Sequence, residues 1–474
     1  MKRNGDGKGL AKPAEAGIGN LIVTLISKGI AIIATPIFTR LLVPEEYGVY
    51  SIYVSFMSVF SVALGIGISA GAIYKGLLRY SGSEEEFISS AIVLMAISYL
   101  AYLSLSFIFG SALSAFTSLP RHINFLLITE VFLGTAQTVI FASERHHYRY
   151  KTICLINLLY AILTPLFAII LINASPIRGN ARIYASFIVS LILNVPLIIR
   201  KISKSHPLSR EMLGYIFKLS APLLPNAVAM SLIAQGDKII IEHTLGGAAL
   251  GKYSLAYSVA FIISAVNTAA HSALQPWLMR KLAEGKEAVA REIGGGAVTL
   301  LSGAALLFAL FVPEIFKFFA AEEYREAEGS VYPLILAAML LLVSRIAASD
   351  IMDSEKVWRL SAASSASFIL NILLNIFLIP RIGYHIAAFN AAASYLALVI
   401  FELLLLGREG GSRILSRECI KPLLALAVGC ALAFAFRTVF ISRGILAIAT
   451  VISSAPSLFD VMGAFFGKRE KKKA

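Results

Sequence analysis

The chain is 474 residues long, 58% hydrophobic and only 15% charged, with a mean hydropathy of +0.78. A soluble domain carries about 25% charged residues, so composition excludes that class, and apolar runs of about 20 residues recurring from end to end define a polytopic membrane protein. The net charge of +14 raises the question of nucleic acid, but Lys and Arg sit in short clusters between apolar spans, as membrane topology demands, so nucleic acid is set aside.

In chain order, residues 1–16 read as a basic tail. The first apolar run is too long for the core of a signal peptide and lacks a convincing cleavage site, so the mature protein is expected to keep it. Spans are predicted over 17–42, 49–73, 87–110, 122–143, 153–172, 182–199, 215–242, 252–277, 293–318, 331–351, 360–379, 385–406, 422–441 and 444–466. This is an all-α polytopic membrane protein of about fourteen transmembrane helices, with no connection longer than about twenty residues and hence no room for a soluble domain. Of the 42 Lys and Arg, about 28 fall on the side of the two tails and about 11 on the other, so both termini are expected in the cytoplasm. Cys154, Cys419 and Cys430 have no metal-ligand spacing, so neither a disulfide framework nor a metal site is expected. No cofactor is expected either.

An internal repeat organises the spans. Gly48-Val49-Tyr50-Ser51 returns as Gly251-Lys252-Tyr253-Ser254, about 200 positions on, and Pro176 returns at Pro380 with nearly the same offset. An even number of helices per copy makes the repeat parallel, a pseudo-two-fold about the membrane normal. The chain therefore reads as an N-terminal six-helix bundle over 17–213 and a C-terminal six-helix bundle over 214–407. Two C-terminal helices follow in 408–466, then a basic cytoplasmic tail over 467–474. Two facing bundles are the usual frame for alternating access. The seventh span opens the second copy, and there Pro222 and Pro225 interrupt the helix, a bending point or hinge.

Several stretches together carry a family resemblance. Thr39-Arg40-Leu41-Leu42-Val43-Pro44-Glu45-Glu46-Tyr47-Gly48-Val49-Tyr50 resembles the first-loop signature of the polysaccharide transporters. These are the O-antigen flippase branch of the multidrug/oligosaccharidyl-lipid/polysaccharide exporter superfamily. The region around Asp237 with Gly251-Lys252-Tyr253, the stretch Glu323-Tyr324-Arg325-Glu326-Ala327, the stretch Ile379-Pro380-Arg381-Ile382-Gly383 and the span count resemble the same family. The chain departs from the commonest pattern at Lys238, where Arg is expected; the charge is kept. The resemblance implies flipping of a polyprenyl-diphosphate-linked oligosaccharide from the cytoplasmic to the outer leaflet, without enzymatic chemistry. It implies as partners that lipid-linked substrate, membrane lipids, a coupling H+ or Na+, and the polysaccharide polymerase and chain-length proteins. Within the superfamily the rivals are a lipid II flippase and an ion-coupled multidrug antiporter, and from another class a membrane-embedded glycan polymerase or ligase. Deep basic residues count against the antiporter, and short outer loops count against the enzyme.

A lipid diphosphate needs a wet, cationic path, because a buried unpaired charge is very costly. Lys28 and Arg345 lie deep in their spans and are expected in the substrate cavity; the alternative is a structural ion pair, for instance Arg345 with Asp350, whose spacing of five is poor for a helical pair. Lys218 lies near a cytoplasmic end, a cavity candidate whose simpler reading is snorkelling. His271 reads as a sugar contact or a hydrogen-bonded core histidine. Asp237 and Lys238 read either as an ion-coupling or gate pair or as a local ion pair. Glu130 is deep enough for coupling, its alternative being neutralisation of Lys28 or Arg345. Glu402 and Asp460 read as boundary residues. The run from Gly246 to Tyr253 nearly spells a nucleotide-binding loop, but Tyr253 stands where Ser or Thr belongs and no strand is expected before it. Gly67 and Gly71 have the spacing of a close helix contact, Glu84-Glu85-Glu86 reads as a helix start, and metal binding by His146-His147 is not expected.

Overall fold

Where no water meets the backbone, the helix satisfies every peptide group internally, and among the described residues of this computed structural model the chain builds helices and no strand. The structure describes residues 23, 26–65, 68, 72–147, 149–202, 209–353, 358–407, 412–415, 419–439, 442–451 and 454. Both basic tails, Asp460, Gly67 and Gly71 lie outside these. Among the described residues, ten helices are long and apolar enough to cross a membrane. Of the other predicted spans, the first and fourteenth are described only over 26–41 and Ser442–Val451, the thirteenth forms the shorter Ile420–Ala435, and the seventh is broken into pieces. Large apolar side chains such as Leu100, Phe107, Ile108 and Ile192 lie exposed on these helices, a surface suited to lipid rather than water.

By its packing the chain divides into two units, residues 1–251 and 252–474. The first contains α1 (26–41), α2 (Pro44–Leu64), α3 (Ala72–Arg79), α4 (Glu84–Ile108), α5 (Gly110–Thr117) and α6 (Arg121–His146). It continues through α7 (Tyr150–Ala174), α8 (Arg178–Ile202), α9 (Arg210–Ser220) and α10 (Leu224–Leu245) to the start of α11 (Gly247–Ala283). Here α7 packs on α8, α6 on both α4 and α8, and α2 lies among α6, α8 and α10. The approach of α2 to the start of α11 is backbone to backbone: a Cβ at Gly48 would strike the main chain of Gly247, and one at Gly251 that of Pro44. These repeated glycines let two helix ends touch.

The second unit holds most of α11, then α12 (Glu287–Leu310), α13 (Val312–Phe319), α14 (Val331–Asp353), α15 (Trp358–Ile382), α16 (His385–Gly407), α17 (Ile420–Ala435) and α18 (Ser442–Val451). Its centre is α14, whose apolar span is 78% buried and packs against α12, α16 and α17. Between α15 and α16, Asn371, Asn375, Asn390 and Ser394 are buried and joined by hydrogen bonds of 2.9–3.1 Å. Such pairing is how amides survive inside a bundle.

Several predicted boundaries move for local reasons. The second helix starts at Pro44, not 49, because proline fits the first turn and the Glu46 carboxylate accepts from the Val43 amide at 3.2 Å. It stops at Leu64, and α3 is separate. The third predicted span continues past 108 as α5, and the ninth breaks before Val312-Pro313 into α12 and α13. The seventh is α9, a 3-10 turn over Ala221–Leu223 containing Pro222, and α10 with Pro225 near its start. The glycine-lysine loop is helix, Gly246 at φ +82°, then helix, with none of the strand a nucleotide loop requires.

Candidate functional site

Four helices of the first unit, α1, α2, α7 and α8, line an open cavity of about 460 Å³. Lys28 lines it from α1, Tyr50 from α2, Asn157 and Tyr160 from α7 and Arg182 from α8. Pro165 of α7 also lines it; lacking an N–H, it leaves the Ala161 carbonyl without its helical donor beside the same cavity. Along α1 the lining runs from Ser27 to Phe38, about 16 Å of helix rise. Lys28 therefore lies toward one end of this lining and Arg182, over Phe38, toward the other.

Arg182 is held by aromatic faces. Its guanidinium carbon lies 3.9 Å from the Tyr50 ring centre, 4.1 Å from Phe38 and 5.2 Å from Tyr47. Each face attracts a cation, more strongly where water is excluded. Its buried Nη1 makes no hydrogen bond among the described residues. A rigid cation with a spare donor is what recognises phosphate or carboxylate. Two of the three rings come from the Thr39–Tyr50 signature, so that stretch starts α2, lets the start of α11 approach and cages Arg182. Sequence reasoning missed Arg182 because it begins a predicted span, where cations are ordinary; its spacing after Pro176 carries no signal of its own.

One turn along α8, Ser186 donates to Glu130 Oε1 at 2.6 Å, and Tyr53 of α2 donates to Glu130 Oε2 at 2.5 Å. Glu130 is 6% exposed, with an oxygen occupied on each side by a neutral hydroxyl. It also lines a second cavity of about 370 Å³ with Ser58, Ser61, Thr135 and Thr138. The Tyr50 phenol of the Arg182 cage lies near both Ser186 and Glu130. On α7 and α8, Asn194 donates to the Tyr160 hydroxyl at 2.7 Å.

Asp237 and Lys238 are both buried on α10. The Asp237 carboxylate accepts from the Lys238 amide at 2.8 Å, while Lys238 Nζ donates to Gln235 at 3.1 Å, whose same oxygen accepts from Ser55 of α2 at 3.2 Å. The pair thus sits on the α2–α10 contact. Lys218 is exposed on the last turn of α9.

In the second unit the structure brings Arg345 and His271 together. Arg345 donates to Thr268 Oγ1 at 2.8 Å, and His271 stands one helical turn beyond Thr268 on α11, half-buried within range of Arg345. The alternative pairing of Arg345 with Asp350 is not formed: Asp350 accepts from Arg413 side chain and amide and from Ser412, at 2.7–3.0 Å. Glu402 is no boundary residue. It is 3% exposed on α16 and accepts from Ser344 at 3.1 Å, because the packing of α14 on α16 closes over it.

The remaining signature stretches hold the second unit together. Lys252 pairs with Glu326 at 2.5 Å, His385 approaches the same carboxylate at 3.8 Å, and Tyr324 is fully buried. Pro380-Arg381-Ile382-Gly383 ends α15, with Gly383 at φ +101°, a left-handed stop that favours glycine.

Residues 37–292 match the family model described as polysaccharide biosynthesis protein. Among curated proteins, the chain is 23% identical over 427 residues to the EPS I polysaccharide export inner membrane protein EpsE of Ralstonia solanacearum, covering 84% of this chain and 94% of that one. Among solved structures, it resembles the lipid II flippase MurJ in an inward closed conformation, with a TM-score of 0.71 at 14% identity over 93% of this chain and 99% of the other. An inward-facing MATE multidrug transporter follows at 0.61 and 14%, covering 82% and 98%. A MOP superfamily transporter from Pyrococcus furiosus, described by the reversed polarity of its binding pocket, reaches 0.57 at 15%, covering 91% and 99%. At these identities the structural likenesses establish the fold.

Proposed function

The chain belongs to the polysaccharide biosynthesis protein family, and we propose that it is a flippase for a polyprenyl-diphosphate-linked oligosaccharide, working by alternating access in the cytoplasmic membrane for cell-surface polysaccharide. The observation that carries this reading is the cavity with Lys28 toward one end and Arg182 toward the other. A diphosphate crossing hydrocarbon must exchange its hydration for fixed cations and donors, and two cations spaced along one cavity offer that exchange in steps. Arg345 and His271 supply a second cationic group from the other repeat. The name of the export relative supports the inner membrane and the glycan pathway, and the positive-inside count supports cytoplasmic termini. In this reading Asp237 and Lys238 gate the α2–α10 contact, Glu130 exchanges a proton, Pro222 and Pro225 bend the seventh span, and Lys218 anchors at the interface.

A second reading, a lipid II flippase, draws on the fold shared with MurJ; that substrate also carries a diphosphate. Binding separates these readings from the antiporter. The purified protein is expected to bind a polyprenyl-diphosphate oligosaccharide at least about tenfold more tightly than the corresponding monophosphate. Lys28→Gln with Arg182→Gln is expected to erase that preference. Equal binding of both lipids by the wild-type protein overturns the proposal.

A further inference from the structure

We propose that the transported glycan is acidic: a carboxylate carried a few sugar residues from the diphosphate docks on Arg182 while the diphosphate rests at Lys28, the first of its two steps. The inference rests on the cavity being the substrate site and adds to that reading the chemical class of the sugar.

The two cations are too far apart to share one diphosphate. Ser27 of α1 donates to the Asn157 carbonyl of α7 at 3.5 Å, which sets the two helices side by side at that end. From there the lining advances to Phe38 on α1 and to Ala168 on α7, eleven positions on each, about 16 Å of helix rise. The aromatic cage holds the Arg182 guanidinium carbon 4.1 Å from the centre of the Phe38 ring. Lys28 stands ten positions back along α1, about 15 Å by the same rise. A flexible four-carbon stem recovers less than half of that distance. A diphosphate is two phosphate tetrahedra sharing one oxygen, so a substrate that has brought it to one cation leaves the other without an anion.

Leaving a cation so is costly in a membrane interior. Among the described residues the lining holds two cations and no carboxylate, and Arg182 Nη1 is buried without a hydrogen bond. The aromatic faces attract the guanidinium but leave its in-plane hydrogens unused, and a carboxylate takes two of these at once. Between the cations the lining is small and neutral, with Ala31 and Ala34 on α1 and Tyr160 and Thr164 on α7. The alanines leave width for sugar rings, and the hydroxyls are donors and acceptors for those of a sugar. The sequence of cation, hydroxyls and cation thus matches diphosphate, sugars and carboxylate. Orientation follows from the charge count: α1 starts on the cytoplasmic side, so the Lys28 end is nearer the leaflet that holds the lipid tail, and with it the diphosphate, on entry.

The test is equilibrium binding of purified protein to three synthetic polyprenyl-diphosphate oligosaccharides of one length. One carries a uronate a few residues out, one has that uronate reduced to the alcohol, and one carries the uronate on the sugar joined to the diphosphate. Wild-type protein is expected to bind the first at least about tenfold more tightly than either of the others. In Arg182→Gln the three are expected to bind alike, whereas Lys28→Gln weakens all three and keeps their order. Equal wild-type affinities, an advantage indifferent to where the uronate sits, or an advantage unchanged in folded Arg182→Gln overturns the inference alone, because the preference for diphosphate over monophosphate is measured on the carboxyl-reduced lipid. Absence of that preference in the wild-type protein overturns the functional reading beneath it.

Discussion

Arg182 shows how a residue's chemistry is decided by what surrounds it. Three aromatic faces fix the guanidinium plane, so Arg182→Lys, which keeps the charge but neither the fork nor the stacking, is expected to weaken diphosphate binding about tenfold, nearly as much as Arg182→Gln. Equilibrium binding checks this. A structural cation tells a different story at Arg443, which forks onto Glu314 with two bonds of 2.7 Å and donates to the Leu310 carbonyl at 2.8 Å. These bonds hold the Glu314 carboxyl below the usual carboxylate range. A depressed folded-state value means stability that is present above the ordinary carboxylate range and lost as pH falls through the folded value. Glu314→Gln is therefore expected to lower the melting temperature of purified protein by a few degrees at pH 7, about 2–4 °C, and by progressively less toward pH 3. Depth along a span made Lys28, Arg345 and Glu130 legible in the sequence, since an ionisable group far inside an apolar run stands out. Arg182 and Glu402 were not legible, because a charge near a span's end looks solvated until the neighbouring helices are known to cover it.

At the level of elements, apolar length and charge alternation predicted helix existence well, and local chemistry decided the ends. Pro44 with Glu46, Pro313 and Pro222 each moved or broke a predicted span. What periodicity missed was which helices touch. The repeated glycines read as markers of an internal repeat, yet they are also where α2 and the start of α11 meet main chain to main chain. Gly48→Val or Gly251→Val is expected to destabilise the protein by about 2–3 kcal/mol through overpacking against backbone. Gly134→Ala, whose Cβ meets nothing within 4 Å, should leave stability unchanged or slightly higher. Thermal unfolding in detergent checks both. If the prolines of the seventh span act as a bend, Pro222→Ala with Pro225→Ala should slow translocation severalfold while leaving diphosphate affinity within about twofold. Comparable losses of both would assign those prolines to folding instead.

For the whole molecule, composition and the count of basic loops were enough for a helical membrane protein of about fourteen spans, and the family match agrees with the signature stretches read from the sequence. The cavity was legible only as a requirement, that a charged lipid head needs buried cations; its walls come from four helices distant in sequence. Central to the account is that a diphosphate passes the cations of the first unit on its way across the bilayer. The direct measurement is translocation of a fluorescent polyprenyl-diphosphate oligosaccharide in vesicles holding purified protein, followed by quenching from outside. Wild-type protein should expose the lipid, and Lys28→Gln with Arg182→Gln at equal incorporation should slow it at least about a hundredfold, the two losses compounding. Translocation by the double variant at the wild-type rate would contradict the account.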